Sequence, residues 1–221
     1  MEYLGLSKPG GPGSGFHLEG FPGAVKVVAL TGGKARRLAH LALHVADLSF
    51  AQDCLRALMQ GQTEPIRSAL WVEALVRYFK CFGSSVSRFQ LEPSKIYPGN
   101  QLALESFEFL KNMRNKHYVH DENSFSQSLP GAVVNGPESP HKIAKIVTFR
   151  AQGDILGQEN FTNLRLLIDG AMAWVEQQYD DLADSLTQDL ELRAHGELLA
   201  LPDLAYSKPD VSDAALQRKS R

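Results

Sequence analysis

Four segments of the chain repeat apolar residues at the period of an α-helix, and this repeat restricts the fold more than any other feature. They run from Lys34 to Gly61, from Thr63 or Glu64 to Gly83, from Gln101 to His120 and from about Gln158 to Arg193. Such spacing places apolar side chains on one side of each helix, where they pack together. The sequence therefore predicts an all-α fold, a four-helix up-and-down bundle.

The segment between the third and fourth helices has a different pattern. Residues 123–141 are rich in Ser, Pro, Gly and Asn, which is typical of a loop. Lys142 to Arg150 read KIAKIVTFR, a short β-branched run that predicts a strand pairing with Gly131 to Val134. We therefore expect a loop or a small β-hairpin inserted between helices three and four.

The two ends of the chain differ from the helical part. Half of the 18 glycines lie in residues 1–33, where SKPGGPGSG reads as a flexible extension and AVKVVAL as a short strand or a loosely docked segment. Residues 34–195 are expected to form the helical domain, and residues 196–221 a disordered tail. A helix of about 35 residues would span roughly 50 Å, so the fourth helix is expected to project or to meet another chain.

Composition excludes several classes of protein. A formal net charge of −2 and a pI of about 6.4 exclude a strongly basic nucleic-acid coat, although they allow a small basic site. The first residues lack a secretory signal pattern, and no apolar run reaches the roughly 18 to 20 residues of a membrane span. Cys54 and Cys81 lack disulfide or metal spacing and predict buried thiols. We expect a cytoplasmic protein that does not associate with a membrane and binds neither a metal nor a cofactor.

Three weaker patterns each have a structural explanation. TGGK at residues 31–34 resembles a phosphate-binding loop, but position 28 is valine and Ala35 replaces the magnesium-binding Ser or Thr. His40 and His44 are spaced to share a metal, but a third ligand at fixed spacing is absent, so ordinary half-buried histidines are favoured. Glu73, among apolar neighbours, either faces solvent or pairs with an arginine and orients a cationic site.

The stretch RNKHYVHDENS, Arg114 to Ser124, gathers ionisable side chains where the third helix is expected to end. One interpretation is structural, because cations complement the negative end of a helix dipole. The other is chemical, because an arginine and a histidine six residues apart can handle a phosphate. In an ideal α-helix His120 lies about 240° around the axis from Arg114, so a dimer or a distorted last turn would have to bring the two groups together.

Arg114, Asn115 and His120 form the pattern R-N-x4-H. In this pattern the chain resembles the HEPN superfamily, whose motif it matches, and especially the abortive-infection-type members of that superfamily. The resemblance covers about residues 34–195, excluding the glycine-rich extension and the possible hairpin. It implies a HEPN-like bundle and a metal-independent endoribonuclease of toxin–antitoxin or phage-defence systems. It also implies a homodimer whose cleft holds two motif copies, an RNA substrate, and an antitoxin or nucleotidyltransferase as a possible partner.

The resemblance also implies roles for the residues of the motif. His120 would transfer a proton and Arg114 would clamp the phosphate, because an imidazole titrates near neutral pH and a guanidinium is a planar fork. Asn115 would orient one of these groups, and Lys116 and His117 would bind substrate through local positive charge. Two alternatives stay open: a non-catalytic helical interaction module, and a nucleotide- or small-ligand-binding domain that acts with a partner enzyme.

Overall fold

The structure, a computed structural model, describes residues 20–119, 126–153, 156–204 and 211–212. His120 and Asp121 lie outside the described residues. The elements in chain order are α1 (Gly33–Leu58), α2 (Ile66–Lys80), α3 (Pro93–Ile96), α4 (Gln101–Met113), a π-helix (Arg114–Val119), β1 (Ser126–Val134), β2 (Ile143–Gln152), α5 (Gln158–Glu191) and α6 (His195–Ala200).

The protein is mostly helical with a small two-stranded antiparallel sheet, so the predicted helical fold and the predicted hairpin are confirmed. The hairpin lies where it was expected, between α4 and α5, the third and fourth of the long helices. No helix in the described part of the chain is both long and apolar enough to cross a bilayer.

The described residues form two compact units. One comprises the described parts of Met1–Val45, Ser84–Gln90 and Ala173–Arg221, and the other comprises those of Ala46–Gly83 and Leu91–Met172. Helices α1 and α5 each contribute residues to both units.

Two histidines on α1 fix a loop in the first unit. His40 Nδ1 accepts a hydrogen bond from the backbone N–H of Phe89 (3.3 Å), and His44 Nε2 donates one to the Phe89 carbonyl (3.0 Å). The Arg37 guanidinium lies 4.5 Å from the centre of the Phe89 ring. These partners explain the i, i+4 histidine pair without a metal, and no group of three or more potential metal ligands occurs among the described residues.

The regions predicted to be flexible at either end meet in the same unit. AVKVVAL was expected to be a short strand or a loosely docked segment, and it forms a single antiparallel bridge, between Val28 and Asp203. Lys26 Nζ donates to the carbonyls of Leu199 and Leu201 and pairs with Asp203 (3.1 Å). Helix α6 occupies the start of the predicted tail, and residues 1–19, 205–210 and 213–221 of the two predicted end segments lie outside the described residues.

Aromatic residues form the centre of the second unit, as the sequence of α2 predicted. The Phe107 ring on α4 lies 4.9 Å from that of Phe82 and 5.2 Å from that of Phe79. The same unit contains fully buried aliphatic side chains from α1, α2, α4 and α5: Leu48, Leu75, Leu110, Leu164 and Ile168. Burial of these side chains supplies the main stabilisation of the unit, at about 25 cal/mol per Å² of apolar surface.

Only one face of α4 is buried, so the prediction that this helix is buried broadly was wrong. Phe107, Leu110 and Met113 are in the core, whereas Leu102 is 77% exposed and Phe109 is 47% exposed. The Asn100 side chain accepts a hydrogen bond from the N–H of Ala103 (3.1 Å) and caps the helix.

A buried hydroxyl chain joins α2, the loop after α3 and α5. Tyr97 Oη donates to the Leu167 carbonyl (2.6 Å), and Tyr78 Oη lies 2.8 Å from Tyr97 Oη. A hydroxyl has a single hydrogen, so Tyr78 is the donor to Tyr97. Gly170 lies against the Tyr97 ring, because a Cβ added there would approach Cε1 to 3.1 Å.

Replacing Gly170 with valine is expected to destabilise the protein by about 1–3 kcal/mol, because the added atoms overpack a ring that its hydroxyl holds in place. Denaturant unfolding measures the effect. Ala173→Val, on an exposed position of the same helix, introduces the same side chain without the clash, although replacing alanine costs helix propensity whereas replacing glycine gains it. Equal losses in the two variants would contradict the close-packing explanation.

Candidate functional site

The candidate site begins where α4 changes into a π-helix. Arg114–Val119 follows Met113 without a break, and its hydrogen bonds run from residue i to i+5 instead of i+4. The turn is therefore wider, and residues four and five apart align. Over Arg114–Val119 the last turn is therefore distorted from an ideal α-helix, which is one of the two possibilities that the sequence left open. π-Helical turns are rare and frequently occur at functional sites.

Arg114 is held by its neighbour in sequence. Its Nη1 donates to Asn115 Oδ1 (2.7 Å), and both side chains are half-buried. The Arg114 Nε is buried and has no hydrogen-bond partner among the described residues. No acidic side chain in the described part of the chain pairs with this guanidinium. Asn115 therefore orients this positive charge, and no carboxylate among the described residues neutralises it.

The other described residues of the motif segment differ in exposure. Lys116 is exposed, whereas His117 is half-buried with its Nδ1 inside the protein. The His117 ring lies 4.8 Å from that of Tyr118 in an edge-on arrangement. The π-helix also contacts α2. Arg114 and Asn115 are thus brought together, Lys116 and His117 follow on the same turn, and His120 lies outside the described residues.

Glu73 does not orient this segment, contrary to the suggestion that it serves the cationic site. Its carboxylate accepts from Arg77 Nε (2.6 Å), four residues along α2. Asp47, which is 5% exposed, accepts from Arg77 Nη1 and from Lys80 Nζ, each at 3.0 Å. Hydrogen bonds to Glu73 and then to Asp47 raise the pKa of Arg77 above its ordinary value.

This acidic and basic network was missed from the sequence, although Glu73 and Arg77 have the i, i+4 spacing of a helical ion pair. The Arg77 guanidinium also lies 4.6 Å from the centre of the Phe50 ring. The two cations of this network, Arg77 and Lys80, are paired with its two carboxylates, which is typical of a structural network. It offers no uncompensated cation to a ligand.

The two cysteines are free and buried, as predicted. Burial raises the pKa of the Cys54 thiol, with further contributions from the nearby Glu73 and Asp53 carboxylates. A buried thiol with a raised pKa is a poor nucleophile, so Cys54 is not a candidate for catalysis.

The Gly33–Lys34 pair of TGGK lies in the first turn of α1. Lys34 Nζ donates to Ser185 Oγ (2.9 Å) and to Asp189 Oδ2 (2.6 Å). An acidic partner already neutralises this lysine, so its contacts are those of a structural ion pair.

Comparison with known proteins adds no relative: no family model matches the chain, and no curated protein or solved structure is significantly similar to it. The candidate site is therefore defined by its own residues. Within the described residues, Arg114–His117 is a segment in which a cation is oriented without an acidic partner and is followed by two further basic or imidazole side chains.

Proposed function

We propose that the chain is a metal-independent endoribonuclease of the HEPN type, folded as a HEPN-like four-helix bundle with a β-hairpin insertion. The observation that carries the proposal is the state of Arg114: Asn115 orients its guanidinium, and no described carboxylate neutralises it. A fixed, uncompensated guanidinium is what a phosphate diester needs as a partner, because its planar fork matches two phosphate oxygens.

The proposed chemistry uses the 2′-hydroxyl of RNA as the nucleophile. An imidazole, His120, takes the proton from the 2′-oxygen as that oxygen attacks phosphorus. The bond from phosphorus to the 5′-oxygen breaks, and this oxygen receives a proton from an imidazolium. Arg114 stabilises the negative charge that builds on the non-bridging oxygens. The products are a 2′,3′-cyclic phosphate and a 5′-hydroxyl.

Lys116 and His117 assist by binding the substrate backbone. The exposed Lys116 ammonium raises the local positive potential, and since the chain as a whole carries a net charge of −2, RNA attraction depends on such local groups and not on the overall charge. Two protomers would present two motif copies to one substrate, and one copy of His120 would act as the base while the other acts as the acid.

The nature of the RNA ends tests this proposal. We expect the purified chain to cut a short single-stranded RNA to a 2′,3′-cyclic phosphate and a 5′-hydroxyl, with an unchanged rate in excess chelator. A substrate with 2′-deoxyribose at the cut position should resist cleavage. Products with a 3′-hydroxyl and a 5′-phosphate, or loss of activity on chelation, would refute the mechanism.

The setting of such an enzyme would be a toxin–antitoxin or phage-defence system in the cytoplasm. An antitoxin or a nucleotidyltransferase would then be the partner that controls it.

A non-catalytic interaction module is the second candidate function. The observation that favours it is the exposed apolar surface of the hairpin, which is the kind of surface that binds other proteins. Absence of cleavage in the pure protein, together with binding to a second protein, would support this alternative.

A further inference from the structure

The second unit contains a cavity that is lined by none of the residues of the candidate site. Its volume is about 480 Å³, which is within the roughly 300–1,000 Å³ typical of small-molecule sites. The end of α1, the connection to α2, the first turn of α2 and the start of α5 surround it. Every described residue of its lining belongs to this one unit. The cavity is therefore large enough for a small ligand and is formed within a single compact unit.

Four large apolar side chains line the cavity. Leu58, Leu156 and Phe161 are half-buried, and Met59 is 63% exposed. A ligand with an apolar body would remove part of their remaining surface from water, which is favourable. The Met59 side chain is flexible and polarisable, so it adapts to the shape of such a body. The apolar part of the lining thus suits an aliphatic chain or an aromatic ring.

Among the described residues that line the cavity, Arg67 carries the only charge. Its Nη2 donates to the carbonyl of Leu156 (3.3 Å), which is another residue of the lining. No ion pair of the described part of the chain includes Arg67. A guanidinium has five N–H groups, so this hydrogen bond holds Arg67 at the cavity and leaves donors for a ligand.

Two glutamine amides complete the polar part of the lining. Gln62 Nε2 donates to the Ala57 carbonyl (3.4 Å), and Gln158 Nε2 donates to Thr162 Oγ1 (3.5 Å). Each amide nitrogen carries two hydrogens, so each keeps one N–H for an oxygen of a ligand. The polar lining therefore consists of one cation and two neutral amides, and no carboxylate of the described residues opposes an anion there.

We propose that the cavity binds a small carboxylic acid in its ionised form, with the carboxylate on Arg67 and an apolar body against Met59 and Phe161. The planar fork of a guanidinium matches the two oxygens of a carboxylate. One guanidinium balances the single charge of a carboxylate. A phosphate monoester carries a charge of about −1.5 to −2, which would leave negative charge uncompensated beside apolar walls.

Ligands without a negative charge fit the cavity less well. A neutral alcohol or an amine with the same apolar body would cover Arg67 without supplying a counter-charge, and a covered charge without a partner is costly. A carboxylate with no apolar body would leave Met59 and Phe161 exposed. The inference goes beyond the proposed function and does not rest on it, because binding is measured without RNA.

Equilibrium dialysis of the full chain against labelled octanoate tests the proposal. We expect one site with a Kd on the order of 100 μM, which is ordinary for a ligand of this size. Unlabelled octan-1-ol, octylamine and acetate should each compete about tenfold more weakly than unlabelled octanoate, because each lacks either the carboxylate or the apolar body. Equal competition by octan-1-ol would show non-specific apolar adsorption and would overturn the proposal.

Three variants place the ligand in this cavity. Arg67→Gln removes the charge, and Met59→Asp replaces apolar surface with a like charge, so each should weaken octanoate binding about tenfold or more. Both positions are exposed, so the circular dichroism should not change. Arg56→Gln is the matched control, because Arg56 pairs with Asp53 (2.9 Å) in the last turn of α1 and does not line the cavity.

Arg56→Gln should bind octanoate with the affinity of the native chain. Three results would each contradict the proposal: native affinity in Arg67→Gln, an equal loss in Arg56→Gln, or no binding to the native chain at about 5 mM octanoate.

Discussion

Arg114→Ala and His120→Ala are each expected to lower the rate of RNA cleavage by about 10²- to 10⁴-fold. The lower part of this range is typical of losing a charge-stabilising donor, and the upper part of losing a general acid or base. Single-turnover cleavage of a labelled RNA measures the effect. Arg114→Lys should remain well below the native rate, because an ammonium keeps the charge but cannot contact two phosphate oxygens in a fixed geometry.

The matched control is Lys111→Ala. Lys111 lies one turn before Arg114 and pairs with Glu108 (3.0 Å), so its loss removes a cation that is already neutralised. Its cleavage rate should stay close to that of the native chain. Native activity in either Arg114→Ala or His120→Ala, with the fold intact by circular dichroism, would end the catalytic assignment.

Two substitutions of Asn115 distinguish the orientation of the Arg114 guanidinium from its charge. Its Oδ1 is 2.7 Å from the Arg114 Nη1. Asn115→Asp is nearly isosteric and places a carboxylate at that position, so it should neutralise Arg114 and impair cleavage about as much as Arg114→Ala. Asn115→Ala only releases the guanidinium and should impair cleavage less. The opposite order of the two variants would show that the amide does not act through the charge of Arg114.

The second large effect is loss of stability in alkali. Burial raises the pKa of Tyr78 well above its usual value, and burial is also the main cause of the raised pKa of Tyr97. Both hydroxyls stay protonated in the folded protein at a pH where they ionise in the unfolded chain. Their contribution to stability is therefore complete below about pH 10 and is lost as the pH rises further.

The slope approaches about 1.4 kcal/mol per pH unit for each tyrosine as the unfolded-state hydroxyls ionise, so the free energy of unfolding should fall by roughly 2 kcal/mol between pH 10 and 11. Denaturant unfolding at several pH values measures this slope. Tyr78→Phe should halve it, whereas Gly170→Val should lower stability equally at every pH. An unchanged slope in Tyr78→Phe would contradict the role of the hydroxyl chain.

The parts of the fold that the sequence predicted are those that a local pattern determines. The four long helices and the hairpin follow from the apolar period and from the β-branched residues of Lys142 to Arg150. The faces of α4 did not follow, because Leu102, Phe109 and Phe107 are equally apolar, and only tertiary packing decides which of them is buried.

The candidate site was predicted in its residues but not in its geometry. The composition of RNKHYV does not mark a π-helix, since the change from i+4 to i+5 bonding is decided by the packing of the segment against its surroundings. The partner of Glu73 was likewise open between solvent and an arginine. Arg77 lies four residues away on the same helix, and Glu73 pairs with this arginine and not with the cationic segment at Arg114.

The two histidines of α1 contact the backbone of Phe89, and this has a consequence for evolution. The hydrogen bond to His40 needs an N–H at position 89 and the bond to His44 needs a carbonyl, and every amino acid except proline supplies both. The Phe89 ring adds contacts of its own, with its centre 5.9 Å from that of His40 and 5.1 Å from that of His44, and with Arg37 over its face. Divergent homologues should therefore keep the paired imidazoles of the first helix together with an aromatic residue at the position that they hold.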